Sequence, residues 1–598
     1  MKESQPRTFA EKVLGAPAGA IVFRRPDIVL THDNTASIAE TFRQMGGTRL
    51  FDPGRHLVVL DHNAPPTNAK LATDHKRIRG FVAAQGIARF ADAGEGICHQ
   101  LMAGHARPGM LVVGSDSHTC TAGAFNTLAV GIDRTEAAGL FSRGETWFRV
   151  PASLKITLTG TLPAGVYAKD LALWILGLIG AAGANYLSIE FHGEGVATLS
   201  VSERMTLANM ASEMGAKNAV FPPDDVLAGF LGRPISSGVW ADPGATYARE
   251  LAIDLGELFP VVAAPHSVEN VRAVSEVEGT PIDAALIGTC TNGRLDDLAV
   301  AARILAGRRV ARGVQLLVIP ASREIALAAI GAGLMAELVA AGAIILAPSC
   351  GPCLGAGQGI PADGDRVIST ANRNFPGRMG NPKAAITLAS PATVAMSALT
   401  GCIADPRGPG RGDLFRTPLA PAAAPGIVPG EHRRHGGVWN YADADNLNTD
   451  QLFAGNLVYN ILSSDAPAIR PHLFAGFDPA FAEAVAPGDI ILAGDNFGCG
   501  SSREHPSVGL AHAGVQALIV KGVNRIFYRA AINQGLPLIV QPEAVAAYRP
   551  GDAVEVDSAA GIVRIGASRF RFAPLPAAIQ EIIAAGGLVD WIKEHDNG

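Results

Sequence analysis

An α/β chain built as several layered units with parallel sheets is what this sequence predicts, and three observations predict it. Short β-branched apolar runs alternate with helical patterns along most of its length, the rhythm of βαβ units. At 598 residues, with 48% apolar residues and 68 glycines, the chain is long enough for several cores and too apolar for disorder. One stretch, 406–436, loses periodicity and is dominated by Pro, Gly and Ala. It reads as a linker between a body at 1–405 and a second α/β unit at 437–598.

Taken in order, the strand candidates are HLVVLD (56–61), MLVVGSD (110–116), AALIGTC (284–290), VQLLVIP (314–320), AIILAP (343–348) and QALIVKG (516–522). Each is short and ends at glycine or a polar loop. IAETFRQMG (38–46) and LDDLAVAARIL (295–305) carry helical spacing between them. In parallel sheets the loops after strand C-termini hold the ligand. Asp61, Asp116, Cys290 and Cys350 all stand where such a strand ends, so they are expected to converge. The most apolar segments, 171–187 and 325–348, are interrupted by glycines, and the second contains Glu337. Both read as core, the second as a helix, a stop at Gly342 and a short buried strand, because a membrane span needs about 20 unbroken apolar residues.

Composition excludes some functions. A net charge of −6 does not provide the basic face of a general nucleic-acid binder, although it permits a local basic cleft for an acidic small molecule. Seven cysteines in 598 residues make no disulfide framework. Unpaired thiols point to a reducing compartment, the cytoplasm, and the start MKESQPRTFAEKVLG lacks the apolar core of a signal peptide. The Arg-Gly-Asp triplet in the linker (Arg411 to Asp413) reads as coincidence. LGAGQGIPADGD (354–365) lacks the frame of a dinucleotide loop.

Cysteines carry the sharpest chemical signal. Cys290 lies in IGTCTNGRLDDL, and Cys350 and Cys353 in APSCGPCLGAGQG, with no fourth partner beside them. A closed zinc site or an ordinary iron–sulfur cluster wants four ligands. Three thiolates suggest a cubane cluster with one iron open to a substrate hydroxyl. A surface Cys-x-x-Cys beside an unrelated buried cysteine is the alternative. In GCGSSREH, Ser501 is either a turn residue or a base, since glycines let backbone amides approach an alkoxide closely.

GSDSHTCTAGAFNTLAVGI (114–132), the two cysteine segments, ANRNFPGRMGNP (371–382) and GDNFGCGSSREHP (494–506) occur in that order. Together they resemble the aconitase and isopropylmalate isomerase family of hydro-lyases. The resemblance covers most of the chain. It implies an aconitase-like catalytic body in three parts, followed by a swivelling C-terminal domain that is fused here and not a separate small subunit. It implies a [4Fe-4S] cluster on Cys290, Cys350 and Cys353, with Asn372 beside it, and structural roles for Cys98, Cys120, Cys402 and Cys499.

The remaining roles also follow from the resemblance. Ser501 matches the base, and Ser502 and Arg503 match substrate contacts. His62, with Asp61, matches the proton donor at the departing hydroxyl. His99, Asp116, His118 and Glu190 match supporting acid–base positions, paired as His99 with Asp116 and His118 with Glu190. Arg373 and Arg378 join Arg503 as carboxylate clamps, since arginine forks bind carboxylates in bidentate fashion. Ser117 matches a polar contact, and Asp450 in NTDQ an aspartate at the mouth of the swivelling domain.

Departures narrow the branch. Aconitases carry a Gln-Asp pair where this chain reads LTHDNT, so His32 stands for Gln, and GCGSSREH replaces a GEGSSREH spelling. Both lean toward the isopropylmalate and homoaconitate branch. Family members acting on tricarboxylates place an arginine in the loop after NTDQ, and this chain reads LFAGNLVYNILSSDAPAIR, with no basic residue before Arg470. A buried carboxylate left unpaired is costly, so the expected substrate carries an apolar or small third substituent, as isopropylmalate or a methylated malate does. A small aconitase or a homoaconitase, and an RNA-binding regulator in the cluster-free state, are the alternatives. The expected partner is a small carboxylic acid, with no membrane.

Overall fold

The computed structural model describes residues 5–408, 434–458, 460–558 and 560–595. Most of the expected linker, including the Arg-Gly-Asp triplet, lies outside the described residues. Each of those apolar runs contains a strand, from His56–Val59 to Ala517–Val520, and the helix Leu295–Leu305 spans its whole expected segment.

Three sheets of four or more strands build the body, beside a two-stranded antiparallel pair, Ile21–Arg24 with Thr146–Arg149. The first is entirely parallel, in the order Arg89–Ala91, His56–Val59, Ile28–Thr31, Leu111–Gly114, Leu128–Gly131. The second is parallel and four-stranded, with Ser153–Thr159 and Ser188–His192 at its centre. The third has seven strands. Its parallel part runs Ala385–Leu388, Arg366–Ser369, Ala284–Ile287, Gln315–Val318, Ile344–Ile345, and an antiparallel pair forms the other edge.

Strand order decides where a ligand binds. Ile28–Thr31 has His56–Val59 on one side and Leu111–Gly114 on the other. Ala284–Ile287 is likewise flanked by Arg366–Ser369 and Gln315–Val318. Chain connections leave such a strand in opposite directions, which opens a crevice at its C-terminal end.

A fourth sheet, parallel from Val438–Tyr441 through Ile490–Ala493 and Ala517–Val520 to Leu538–Val540, forms the C-terminal domain. Its final helices, Ala577–Ala584 and Leu588–His595, return to the body and bury Ile579, Ile582, Leu588 and Ile592 in the core of the first sheet.

The apolar segment 171–187 is core as expected, with Leu171, Leu173, Ile175 and Leu176 fully buried. Segment 325–348 is a correction. It folds as two helices, Arg323–Gly331 and Leu334–Ala341, bent by 87° where Gly333 takes φ +77°. Leu327, Ile330, Val339 and Ile344 are exposed. The strand Ile344–Ile345 sits at a sheet edge, where only one neighbour covers it. No single helix among the described residues is long and apolar enough to cross a membrane.

Candidate active site

Both crevices open into one pocket. His32, His62 and Asp116 project from three adjacent strand ends of the first sheet, and Cys290, Cys350 and Asn372 follow strands of the third. The pocket is lined by His32, His62, His99, Asp116, Ser117, His118, Cys290, Cys350, Cys353, Asn372, Arg373, Arg378, Ser501, Ser502 and Arg503. These residues span 471 positions of sequence. The structure therefore brings together nearly every residue singled out from the sequence.

On one side, imidazoles and carboxylates interlock. His62 Nδ1 lies 2.8 Å from Asp61 Oδ1, and its Nε2 lies 3.3 Å from Asp116 Oδ2. Asp61 is fully buried behind His62, and its other oxygen accepts the Cys98 amide at 2.7 Å. His32 stacks on His62 with ring centroids 3.8 Å apart. Burial, then the neighbouring His62, pushes His32 down to about 4, so it is neutral near pH 7. Asp33 accepts the amides of Asp61, His62 and Asn63 and faces His75 Nε2 at 2.7 Å.

The expected His99–Asp116 pair forms at 2.7 Å. Burial alone would raise the Asp116 carboxyl, but hydrogen bonds from His118, His62 and His99 hold it well below the usual carboxylate range. The expected His118–Glu190 pair does not form. His118 Nε2 faces Glu213 Oε1 at 2.9 Å. Glu190 lies on Ser188–His192, where its carboxylate accepts the Phe9 amide at 3.0 Å and the Ser153 hydroxyl at 2.8 Å. Its side chain is committed to the N-terminal helix and lies outside the pocket. Glu213 follows the helix Val201–Met210 in MASEMGAK, outside every motif, and no local pattern marked it. It also accepts Arg373 Nε at 2.9 Å, and Arg373 Nη2 donates to Ser117 Oγ at 3.0 Å.

Sulfurs form the floor. Asn209 and Asn372 donate to Cys290 Sγ at 3.3 and 3.5 Å, and Arg378 Nη2 lies 3.7 Å from Cys353 Sγ. Burial pushes the Cys350 thiol up to about 11 and raises Cys290 further. Thr289, directly before Cys290, takes φ +64°, a conformation that a β-branched residue adopts only under strain. Lys169 is fully buried beneath this floor and donates to the carbonyls of Thr370 and Ala371 at 3.0 and 2.7 Å, which fixes the approach to Asn372 and Arg373.

Opposite the imidazoles stands the C-terminal domain. Gly498, at φ +72°, lies so close to Phe527 that an added Cβ would sit 2.3 Å from its ring, so only glycine allows the turn. The Ser501 amide donates to Thr449 Oγ1 at 3.0 Å, and Ser502 Oγ to the Ser115 carbonyl at 3.1 Å. Arg503 donates to Asp450 Oδ1 at 3.0 Å and to the Phe453 carbonyl at 2.7 Å. Asp450 thus lies behind the wall and orients an arginine in it. Gly455 and Val458 of the loop after Asp450 face the pocket, whereas Arg470 donates to the Val485 carbonyl at 3.3 Å. Asn34, Thr289, Leu354 and Arg134 also line the pocket and were not anticipated.

Residues 8–280 and 272–401 match the profile of the aconitase family (aconitate hydratase), and 477–543 match that of the aconitase C-terminal domain. Over 417 residues the chain is 48% identical to 3-isopropylmalate dehydratase large subunit 1 of Methanopyrus kandleri, covering 67% of this chain and 99% of that protein. It is 49% identical over 387 residues to a "probable methanogen homoaconitase large subunit" of Methanosarcina mazei, covering 64% of this chain and 98% of that one. Among solved structures, the 3-isopropylmalate dehydratase (leuD) of Methanocaldococcus jannaschii is 36% identical, covers 25% of this chain and 89% of its own, and has a TM-score of 0.23.

Proposed function

The chain belongs to the aconitase family of hydro-lyases, and from that premise we propose that it removes water from, and returns it to, a malate-type 2-hydroxy acid at a [4Fe-4S] cluster. One observation carries the reading: three cysteines, four arginines, His62, His99, His118 and Asp116, and Ser501 face a single pocket.

The residues fit the cluster. Cys290, Cys350 and Cys353 would hold it. Among the described residues the tight groups of metal-type side chains are His32, Asp33, Asp61 and His62, and His99, Asp116 and His118. The three sulfurs all line the pocket, and three thiolates with no fourth protein ligand among them match a cubane with one open iron and not a closed four-ligand zinc site. The N–H groups of Asn209, Asn372 and Arg378 at two of the sulfurs stabilise thiolate. Raised thiol values at Cys290 and Cys350 mean that loading releases protons. When bound, the cluster supplies an open iron that polarises the substrate hydroxyl.

The chain does the rest. Arg373, Arg378 and Arg503 bind the substrate carboxylates, with Ser117 and Ser502 as polar contacts. Ser501 removes the proton beside a carboxylate, its alkoxide stabilised by the glycine-framed loop and by Arg503. His62, oriented by Asp61, delivers a proton to the departing hydroxyl, while His99 and His118 hold Asp116 ionised beside it. All seven cysteines are free, which supports a reducing cytoplasm, and the fused C-terminal domain supports activity without a separate small subunit.

Val458 on the pocket wall supports an apolar or small third substituent, as in isopropylmalate or a methylated malate. That argument covers the loop alone. Arg134, from the body, favours a second reading, a tricarboxylate such as homocitrate. Anaerobic reconstitution followed by iron, sulfide and electron-spin measurements tests the centre, with about four irons and four sulfides per chain expected and lost in Cys290→Ser. Turnover is then measured on isopropylmalate, citrate and homocitrate. A cluster-loaded protein that turns over none of these would overturn the proposal.

A further inference from the structure

Arg525 opens the helix Arg525–Asn533 of the C-terminal domain and is 1% exposed. Its Nη2 donates to the Ser117 carbonyl at 3.2 Å, across 408 positions of sequence. Its Nε and Nη1 find no acceptor among the described residues. The other arginine of that helix, Arg529, has Glu136 as its carboxylate partner, and Arg373 has Glu213. Arg525 has no such partner among the described residues. A guanidinium buried in this way costs stability, and an apolar side chain of similar volume would seat the domain better. Docking therefore does not account for it.

The group it touches does. The Ser117–His118 peptide is held at both ends. Its carbonyl accepts Arg525 and also Ser212 Oγ, the latter at 3.1 Å. Its N–H donates to Asp116 Oδ1 at 2.8 Å. Because a peptide is planar, a tilt at the oxygen moves the N–H as well. Three pocket groups depend on that plane. Ser117 Oγ accepts Arg373 Nη2 at 3.0 Å, His118 Nε2 faces Glu213 at 2.9 Å, and Asp116 Oδ1 faces His99 at 2.7 Å. Gly131 keeps the space: an added Cβ there would lie 2.7 Å from the Asp116 carbonyl oxygen and 3.4 Å from Arg525 Nη1. The end of the strand Leu128–Gly131 thus presses turn and guanidinium together.

We propose that Arg525 is a positioning residue for the dehydration. By holding the Ser117 carbonyl, it sets the Asp116–Ser117–His118 turn for catalysis when the C-terminal domain is seated. That domain also carries Ser501, so the base and the opposite acid–base wall are assembled in one event. The inference rests on the hydro-lyase reading.

The test separates positioning from docking on the cluster-loaded full chain. Arg525→Met removes the unpaired charge and its contact. Asn533→Ala removes a docking bond away from the turn, the one to Asp133 at 2.7 Å. Unfolding midpoints in denaturant are measured for both, with kcat and KM on isopropylmalate, citrate and homocitrate. Arg525→Met is expected to unfold at or above the wild-type midpoint. It is nevertheless expected to lose about 30-fold in kcat/KM, the scale of a lost orienting contact, with KM raised because Ser117 and Arg373 bind the substrate. Asn533→Ala is expected to lower the midpoint. Arg525→Lys keeps a donor and the charge without the planar fork, and is expected to regain part of the loss. A midpoint that falls together with activity, as in Asn533→Ala, makes Arg525 a docking contact and overturns the inference. An Arg525→Met protein that does not fold overturns it in the same way. No gain in Arg525→Lys over Arg525→Met overturns it too. If the wild type turns over a substrate and Arg525→Met stays within about threefold of it, the scale at which no orienting contact has been lost, this inference alone fails. If the wild type turns over none of the three, the hydro-lyase reading falls and takes it along.

Discussion

The two walls of the pocket are built in opposite ways. On the imidazole wall, Asp33, Asp61, His62, His99, Asp116, His118 and Glu213 belong to the body and hold one another through short charged hydrogen bonds. On the serine wall, Ser501 makes one backbone bond to Thr449. Its placement comes from the docking of its domain on the body. Arg529 donates to Glu136 and to the Trp147 carbonyl, Arg525 donates to the Ser117 carbonyl at 3.2 Å, Asn533 to Asp133 at 2.7 Å, and Glu504 accepts from Thr135. The proton-donating side is thus organised by local chemistry, and the proton-abstracting side by an interface. All but two of those docking bonds reach a single helix, Arg134–Arg143, or its cap Asp133.

Four perturbations break or sharpen this contrast. The largest effect is expected from Ser501→Ala. It should lower kcat by about 10³–10⁴-fold, the upper range for a general base, with KM for the substrate within a few fold and cluster content unchanged. A loss below tenfold would move the base elsewhere. Next is Glu136→Gln. It leaves the Arg529 guanidinium buried, both side chains being 1% exposed, and should cost about 3–5 kcal/mol by denaturant unfolding. The lost stability should appear with lowered kcat, because Ser501 depends on the docking that this pair secures.

Glu213→Gln perturbs the other wall. It loosens both His118 and Arg373 and should cost about 10²-fold in kcat/KM, with domain docking unaffected. The same variant has a pH signature. Burial would raise the Glu213 carboxyl, but Arg373 and His118 hold it at about 2, below its ordinary 4.5. A depressed folded value stabilises the protein above pH 4.5, and that contribution is lost as pH falls from 4.5 toward 2. In the cluster-free protein, Glu213→Gln should flatten the acid limb of the stability profile. An unchanged limb would mean that the pair is not what holds the wall together. The smallest effect is expected from Thr135→Val, which removes the hydroxyl bond to Glu504 and keeps the amide bond. About 1–2 kcal/mol of stability should be lost, with Ser501 activity falling further than His62-dependent proton delivery.

Much of this was legible in the sequence, for identifiable reasons. Cys290, Cys350, Asp61 and Asp116 follow short apolar strands, and in parallel sheets strand ends face the ligand. Gly498 and Gly500 flag the tight turn at Ser501, because a required positive φ leaves glycine little competition. Glu190 was misplaced because the resemblance carried it over as a supporting position, while its strand turns the carboxylate toward the N-terminal helix. The segment 325–348 looked like core because its composition is apolar, yet hydropathy does not reveal that a strand pair lies at a sheet edge.

By itself the sequence determined the layered α/β class, the strands and their loops, the trio of cysteines and the glycine-bound serine turn. Each strand, loop and turn depends on residues close to one another in sequence, and the cysteines are read from two separate short segments. Tertiary structure alone decided that Glu213 partners His118, that Arg470 donates to the Val485 carbonyl, and that Arg134 and Val458 line one pocket. These depend on how strands are ordered and how one domain seats on another. His118 and Glu213 stand 95 positions apart and Arg470 and Val485 stand 15 apart, and local propensity carries no information about either contact.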